Sequence, residues 1–134
     1  MIKFLPLFLG LFLTISNITA QVDPCITTDK KQLKAIEVIK KESDYNKASI
    51  LLKEAINNYP ENAELHFIYA QRTYAFAMVC FDKQETEAKG EQNLKLAYIL
   101  FQLTQKKCKN FNADCPYYLG SILLSNGDKK IEPR

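Results

Sequence analysis

His66 is the only imidazole in the chain, and Cys25, Cys80, Cys108 and Cys115 are its only thiols. These five residues are the first to weigh for nucleophilic, metal or redox chemistry. A serine or cysteine triad needs an imidazole base beside the nucleophile. His66 falls inside a helical pattern at a packing position, and no second imidazole is left to serve as that base. The spacing Cys108-x6-Cys115 is not that of a zinc finger, so no metal ligand set emerges. No glycine-rich phosphate loop is present, and no cofactor is implied. The acidic pairs Glu85/Glu87 and Glu61/Glu64 stand among polar, helix-forming neighbours and read as solvated faces rather than acid–base pairs. The expectation is therefore a protein that is not an enzyme, with no catalytic, metal or cofactor residues.

The compartment decides what the thiols do. Met1-Ile2-Lys3 is followed by an apolar run from Phe4 to Ile15 and a small residue at Ala20, the three-part layout of a secretory signal peptide. Cleavage is expected between Ala20 and Gln21. The rival reading is an uncleaved anchor, because this stretch approaches the length of about 20 residues that spans a bilayer; membrane attachment is expected only in that case. Cys25 follows Val22-Asp23-Pro24 rather than a small-residue cleavage site, which argues against a lipid-modified cysteine. Localisation is expected to be exported, periplasmic or extracellular, where disulfides persist.

With 134 residues there is room for one domain. The chain has 18 basic and 15 acidic side chains with interleaved signs. A nucleic-acid-binding domain concentrates cations on one face to neutralise phosphates, so no nucleic-acid partner is expected. Only 4 Gly and 5 Pro occur, and Ala, Leu, Lys, Glu and Gln are frequent, a composition that favours helix.

The elements that must position any site follow from periodicity. Leu33, Ile36 and Ile39 mark a helix from about Asp29 to Glu42, with Thr27, Thr28 or Asp29 as its cap. Ser43-Asp44-Tyr45-Asn46 reads as a polar connection. Ala48, Leu51, Leu52, Ala55 and Ile56 form a second stripe that must stop before Pro60. Asn62 caps a third helix from Ala63 to about Phe81. A fourth uses Ala88, Leu94, Ala97, Tyr98 and Phe101 and ends near Lys106-Lys107, with Gly90 as its weak point. A fifth runs from Cys115 or Pro116 to about Ser125, closed by Asn126-Gly127. No alternating β-branched segment appears between turn signals, so the fold class is all-α.

Ala48, Leu52, Ala55 and Pro60 stand at gaps of four, three and five residues. This pattern resembles the second helix of a tetratricopeptide repeat, and counting outward gives a unit from Asp29 to Asn62, 34 residues long, the period of that family. Ala63-Glu64-Leu65-His66 with Tyr69-Ala70 is similar to a second opening helix, His66 replacing the usual aromatic. Leu119-Gly120 with Gly127-Asp128 is similar to a third. The second unit carries about sixteen extra residues.

The resemblance implies a short right-handed α–α superhelix of antiparallel hairpins. With the signal peptide read above at 1–20, the expected organisation is a lead 21–28, a repeat domain 29–128 and a tail 129–134. The resemblance also implies a groove lined by the opening helices: Leu33, Glu37 and Lys40 from the first, Phe67, Gln71 and Tyr74 from the second, Tyr117, Ser121 and Leu124 from the third. That lining lacks the Lys, Asn and Arg of a carboxylate clamp. The expected function is binding of another protein or peptide. The alternative is a structural or assembly role in which an incomplete stack self-associates, giving a homo-oligomer. Four cysteines allow three full pairings. In such a stack Cys108 and Cys115 fall at the same end, with Cys25 also near it and Cys80 about 25 Å away along its helix. The expected bridge is Cys108–Cys115, with Cys25 and Cys80 lacking an obvious partner.

Overall fold

The computed structural model describes residues 25–112 and 114–125. The expected signal segment with its Ala20/Gln21 cleavage point, the start of the lead, Gly127 and the tail lie outside these residues. Five α-helices follow in order: α1 (Lys30–Lys41), α2 (Tyr45–Asn58), α3 (Ala63–Phe81), α4 (Glu87–Lys107) and α5 (Asp114–Ser125). A single 3-10 turn, Gln84–Thr86, precedes α4, and no strand occurs among the described residues.

Local chemistry sets most helix ends. The Asp29 carboxylate accepts from the Gln32 N–H at 3.0 Å, Asp44 from Lys47 at 2.9 Å and the Asn62 amide oxygen from Leu65 at 3.1 Å. Each satisfies one of the donors that a helix start leaves unpaired. Because Asp44 is itself the cap, the connection is the three residues Glu42-Ser43-Asp44, and Tyr45 opens α2. Lys40 and Lys41, and again Lys106 and Lys107, occupy the last turns of α1 and α4, where cations oppose the helix dipole. At α5 the helix begins with Asp114, which places Pro116 in the first turn, where no intrahelical N–H is needed.

The core is a chain of helix contacts. Ile39, Leu52, Leu65, Leu94, Phe101 and Ile122 are fully buried, and Ala48, Ala70, Ala77 and Ala97 supply small residues where helices approach. α3 and α4 form the most extensive pair. Lys107 near the end of α4 bridges Glu61 just before α3 at 2.8 Å, Phe67 meets Phe101, and Gly90 near the start of α4 lies against Ala77 and Phe81. The two helices therefore run in opposite directions. At Gly90 the two helices approach closely: a Cβ there would stand 3.1 Å from the Phe81 ring and 3.2 Å from the Ala77 carbonyl oxygen. A residue that weakens an isolated helix thus permits a close crossing.

Two polar clusters orient the outer helices on this pair. The Arg72 guanidinium of α3 donates to the carbonyls of Glu42, Ile39 (3.2 Å) and Lys40 (3.3 Å), capping the C-terminus of α1 from outside it. Tyr45, opening α2, stacks on Phe76 with centroids 4.2 Å apart and shares hydrogen bonds with Thr73 (3.1 Å) and Asn93 (3.3 Å). A side chain assigned by its polarity to a connection instead ties α2 to both α3 and α4.

The disulfide is Cys25–Cys108, with α-carbons 5.8 Å apart. The expected Cys108–Cys115 bridge is not formed; Cys80 and Cys115 are free thiols and both are buried. The reason lies in the start of α5. Cys115 falls in its first turn and faces the core beside Ile122, whereas Cys108 is the extended residue that terminates α4 and meets the lead.

Candidate interaction surface

The nine residues expected to line one groove separate into three groups. On α1, Leu33 is 44% exposed, Glu37 pairs with Lys41 at 2.8 Å, and Lys40 reaches Glu64 of α3 at 2.8 Å. The Lys41 ammonium, by hydrogen bond and charge, holds the Glu37 carboxyl below the usual range. On α3, Phe67 is buried, while Gln71 and Tyr74 are half-buried. All three converge on Tyr118. Its ring lies edge-on to Tyr74 at 5.2 Å and to Phe67 at 6.5 Å, and its hydroxyl accepts from the Gln71 amide at 3.5 Å. Tyr118 is also stacked on Phe101 of α4 at 4.6 Å. On α5, Ser121 is half-buried, whereas Tyr117 and Leu124 stand out at 71% and 83% exposure.

The middle of the expected groove is therefore filled by α5 and by Phe111 of the preceding loop, whose ring lies 5.7 Å from Phe67. Aromatic edge-to-face and offset contacts of this kind contribute about 0.5–1.5 kcal/mol each beyond burial. Phe67 belongs to the core; the apolar surface left open lies outside it.

Ile50, Val79 and Ile99 are exposed singly on α2, α3 and α4, and two open surfaces gather several apolar side chains. The first is the outer face of α5, where Pro116, Tyr117, Gly120, Leu123 and Leu124 are exposed and a Cβ built on Gly120 would meet nothing within 4 Å. The second was not expected from periodicity. A cleft of about 390 Å³ between α1 and α2 has a floor of Ile39 and Ala55, walls of Ala35, Val38 and Leu51, and a rim that includes Lys31, Lys34 and Glu54. The one signal for it in the sequence is Val38, which widens the α1 stripe beyond the face that Ile36 and Ile39 bury.

The side chains with chemical potential sit elsewhere. His66 is buried, and because a carbonyl can only accept, its Nε2–H donates to Pro60 at 2.8 Å. Its Nδ1 is buried without a hydrogen-bond partner. His66 thus fastens the start of α3 to the turn before it. Burial, with a smaller contribution from the Asp114 carboxylate, pushes the Cys115 thiol up to about 11. A thiol so held is almost wholly protonated and unreactive at neutral pH. Burial likewise raises the Tyr69 hydroxyl. Among the described residues no cluster of His, Cys, Asp or Glu is arranged to hold a metal ion, and no helix is long and apolar enough to cross a membrane.

Compared with family models, curated proteins and solved structures, the chain matches none.

Proposed function

We propose that this is an exported, non-catalytic helical-repeat protein that binds a polypeptide through the apolar outer face of α5. The five helices are taken as a short right-handed superhelix of antiparallel hairpins. The sequential packing of neighbouring helices and the opposed directions of α3 and α4 support that arrangement. Export is supported by the signal-like first twenty residues and by the Cys25–Cys108 bridge, which suits an oxidising compartment.

One observation carries the binding function. Tyr117, Leu123 and Leu124 are displayed together on one short helix, whereas the exposed large apolar residues of α2, α3 and α4, namely Ile50, Val79 and Ile99, stand one to a helix. Contiguous apolar surface of this sort marks interaction sites, and an exposed tyrosine is a typical anchor within them. A groove spanning all three opening helices is less well supported, since its centre is occupied by Tyr118.

The test is affinity capture with the exported protein and with Leu124→Glu. The same polypeptide should be enriched by the wild type, lost with the variant, and bound directly when purified. Enrichment unaffected by Leu124→Glu, or none at all, would overturn the proposal. Because Leu124 is largely solvent-exposed, the substitution leaves folding intact, which circular dichroism checks.

A further inference from the structure

We infer that the disulfide-bridged end of the helical stack is a docking surface for an anionic lipid bilayer. This goes beyond polypeptide binding by the α5 outer face and uses none of the apolar residues of that face.

Three connections build that end from distant parts of the chain. The Cys25–Cys108 bridge ties the lead to the residue that terminates α4. Lys107, in the last turn of α4, pairs with Glu61 at 2.8 Å, and the neighbouring Asn62 donates to Gln32 in the first turn of α1 at 2.7 Å. The lead, the start of α1, the turn before α3 and the end of α4 therefore meet. α1 opens with Lys30-Lys31, and α4 ends with Lys106-Lys107, followed by Lys109. All of these are exposed except the half-buried Lys107. Against the five cations stand the carboxylates of Asp29, Glu61 and Asp114, and Glu61 is already engaged by Lys107. One turn further in, Lys34 and Glu54 flank the α1/α2 cleft and Lys40 pairs with Glu64, which leaves the balance unchanged. The interleaved signs of the sequence conceal this excess, because Lys31 and Lys106 are 75 positions apart.

The far end of the molecule has the opposite sign. Where α3 ends and α4 begins, Asp82, Glu85, Glu87 and Glu91 outnumber Lys83 and Lys89. α4 has 21 residues and so spans about 30 Å at about 1.5 Å per residue. The Debye length is about 8 Å at physiological salt, so a surface that touches the lysines scarcely senses those acids. The molecule is thus polar along α3 and α4, with its basic pole at the disulfide.

Two features favour a bilayer over an acidic polypeptide. Ile26, next to the bridge, is 57% exposed, and cations around an exposed apolar side chain suit the interface of an anionic membrane. The lead is also where the apolar N-terminal stretch joins the fold: only Gln21 to Pro24 separate Ala20 from Cys25. That connection reaches at most about 18 Å when fully extended. While the apolar stretch occupies a membrane during export, the bridge therefore holds the basic pole beside the lipid headgroups.

The experiment is flotation of the chain purified after export, its N-terminus read by mass spectrometry, with vesicles of phosphatidylcholine alone or with about 30% phosphatidylglycerol. Each lysine near such a surface raises partitioning about fivefold, so an excess of two charges predicts about 25-fold preference for the anionic vesicles at about 150 mM salt. The preference should vanish at about 500 mM, where screening shortens the Debye length to about 4 Å. Lys106→Gln/Lys109→Gln should reduce anionic vesicles to the level of neutral ones, and Ile26→Ser should weaken binding about threefold. Lys83→Gln/Lys95→Gln removes the same charge far from the bridge and should change binding less than about twofold. All five substituted residues are exposed, so folding is retained, which circular dichroism checks. Anionic vesicles bound no better than neutral ones overturn the inference. So does an equal effect of the two lysine pairs, which marks a response to net charge alone, and so does binding of poly-glutamate without binding of vesicles, which assigns the pole to an acidic polypeptide. Leu124→Glu should leave flotation unchanged; loss there would move the lipid contact to α5 and overturn the inference. Intact flotation together with failure to capture a polypeptide would refute the proposed function alone.

Discussion

Replacing Cys25 and Cys108 together by serine removes a covalent link that spans most of the described chain. The two residues are 83 positions apart. A closed loop of that length restricts the unfolded chain by about 4.5 kcal/mol at 25 °C on the chain-entropy model, in which the cost grows with the logarithm of loop length. A bridge between Cys108 and Cys115 would close seven residues and give about 2.4 kcal/mol on the same model. The native side takes something back. The bridge orders a lead whose Ile26 is 57% exposed, so the lead makes few contacts in return. We expect a loss of about 3–4.5 kcal/mol, read from urea unfolding followed by far-UV circular dichroism. The slope of the transition should steepen, since an uncrosslinked unfolded chain exposes more surface. Reductant should bring the wild type to the stability of this variant and leave the variant unchanged. Cys80→Ala/Cys115→Ala should keep its sensitivity to reductant. A loss under about 1 kcal/mol, or recovery of a Cys108–Cys115 peptide from a non-reducing digest, would refute the pairing and the loop argument built on it.

Two further outcomes follow from single side chains. Arg72→Ala leaves three carbonyls at the end of α1 without their charged donor, and with water replacing part of the loss at the exposed Lys40 carbonyl we expect about 2–3 kcal/mol. That is a drop in Tm of roughly 10–20 °C for a domain of this size; Arg72→Lys should be intermediate, and faster hydrogen exchange confined to the last turn of α1 would identify the cause. The buried Cys115 thiol, raised from an ordinary value near 9 to about 11, binds its proton more tightly folded than unfolded. Its contribution to stability is therefore complete below about pH 9 and is lost as pH rises towards about 11, and Cys115→Ala should flatten denaturation curves across that interval.

Much of the helical architecture is legible residue by residue. Asp29 and Asn62 announce the starts of α1 and α3, and Pro60 the end of α2, because caps and proline act on backbone groups within one turn of their own position. The failures have a common cause. Tyr45 stands among polar neighbours in the sequence, although its partners Thr73, Phe76 and Asn93 are distant in the chain. Phe67 is buried on a face that reads as open in the sequence, because helical periodicity records which residues share a side, not what covers that side. Tyr118, Phe101 and Phe111 fill the space, and nothing near Phe67 in sequence encodes them.

For the described residues, the amino-acid sequence alone determined the all-helical class, the five helices and nearly all their limits, since propensity, capping and apolar spacing operate over three to five residues. The tertiary structure decided the rest: that Cys108 joins Cys25 while Cys115 turns into the core, that Arg72 of α3 closes α1, and which apolar faces stay uncovered. Those choices turn on contacts between residues far apart in the chain, and for the thiols on where the loop delivers the start of α5, whose first turn places Cys115 in the core.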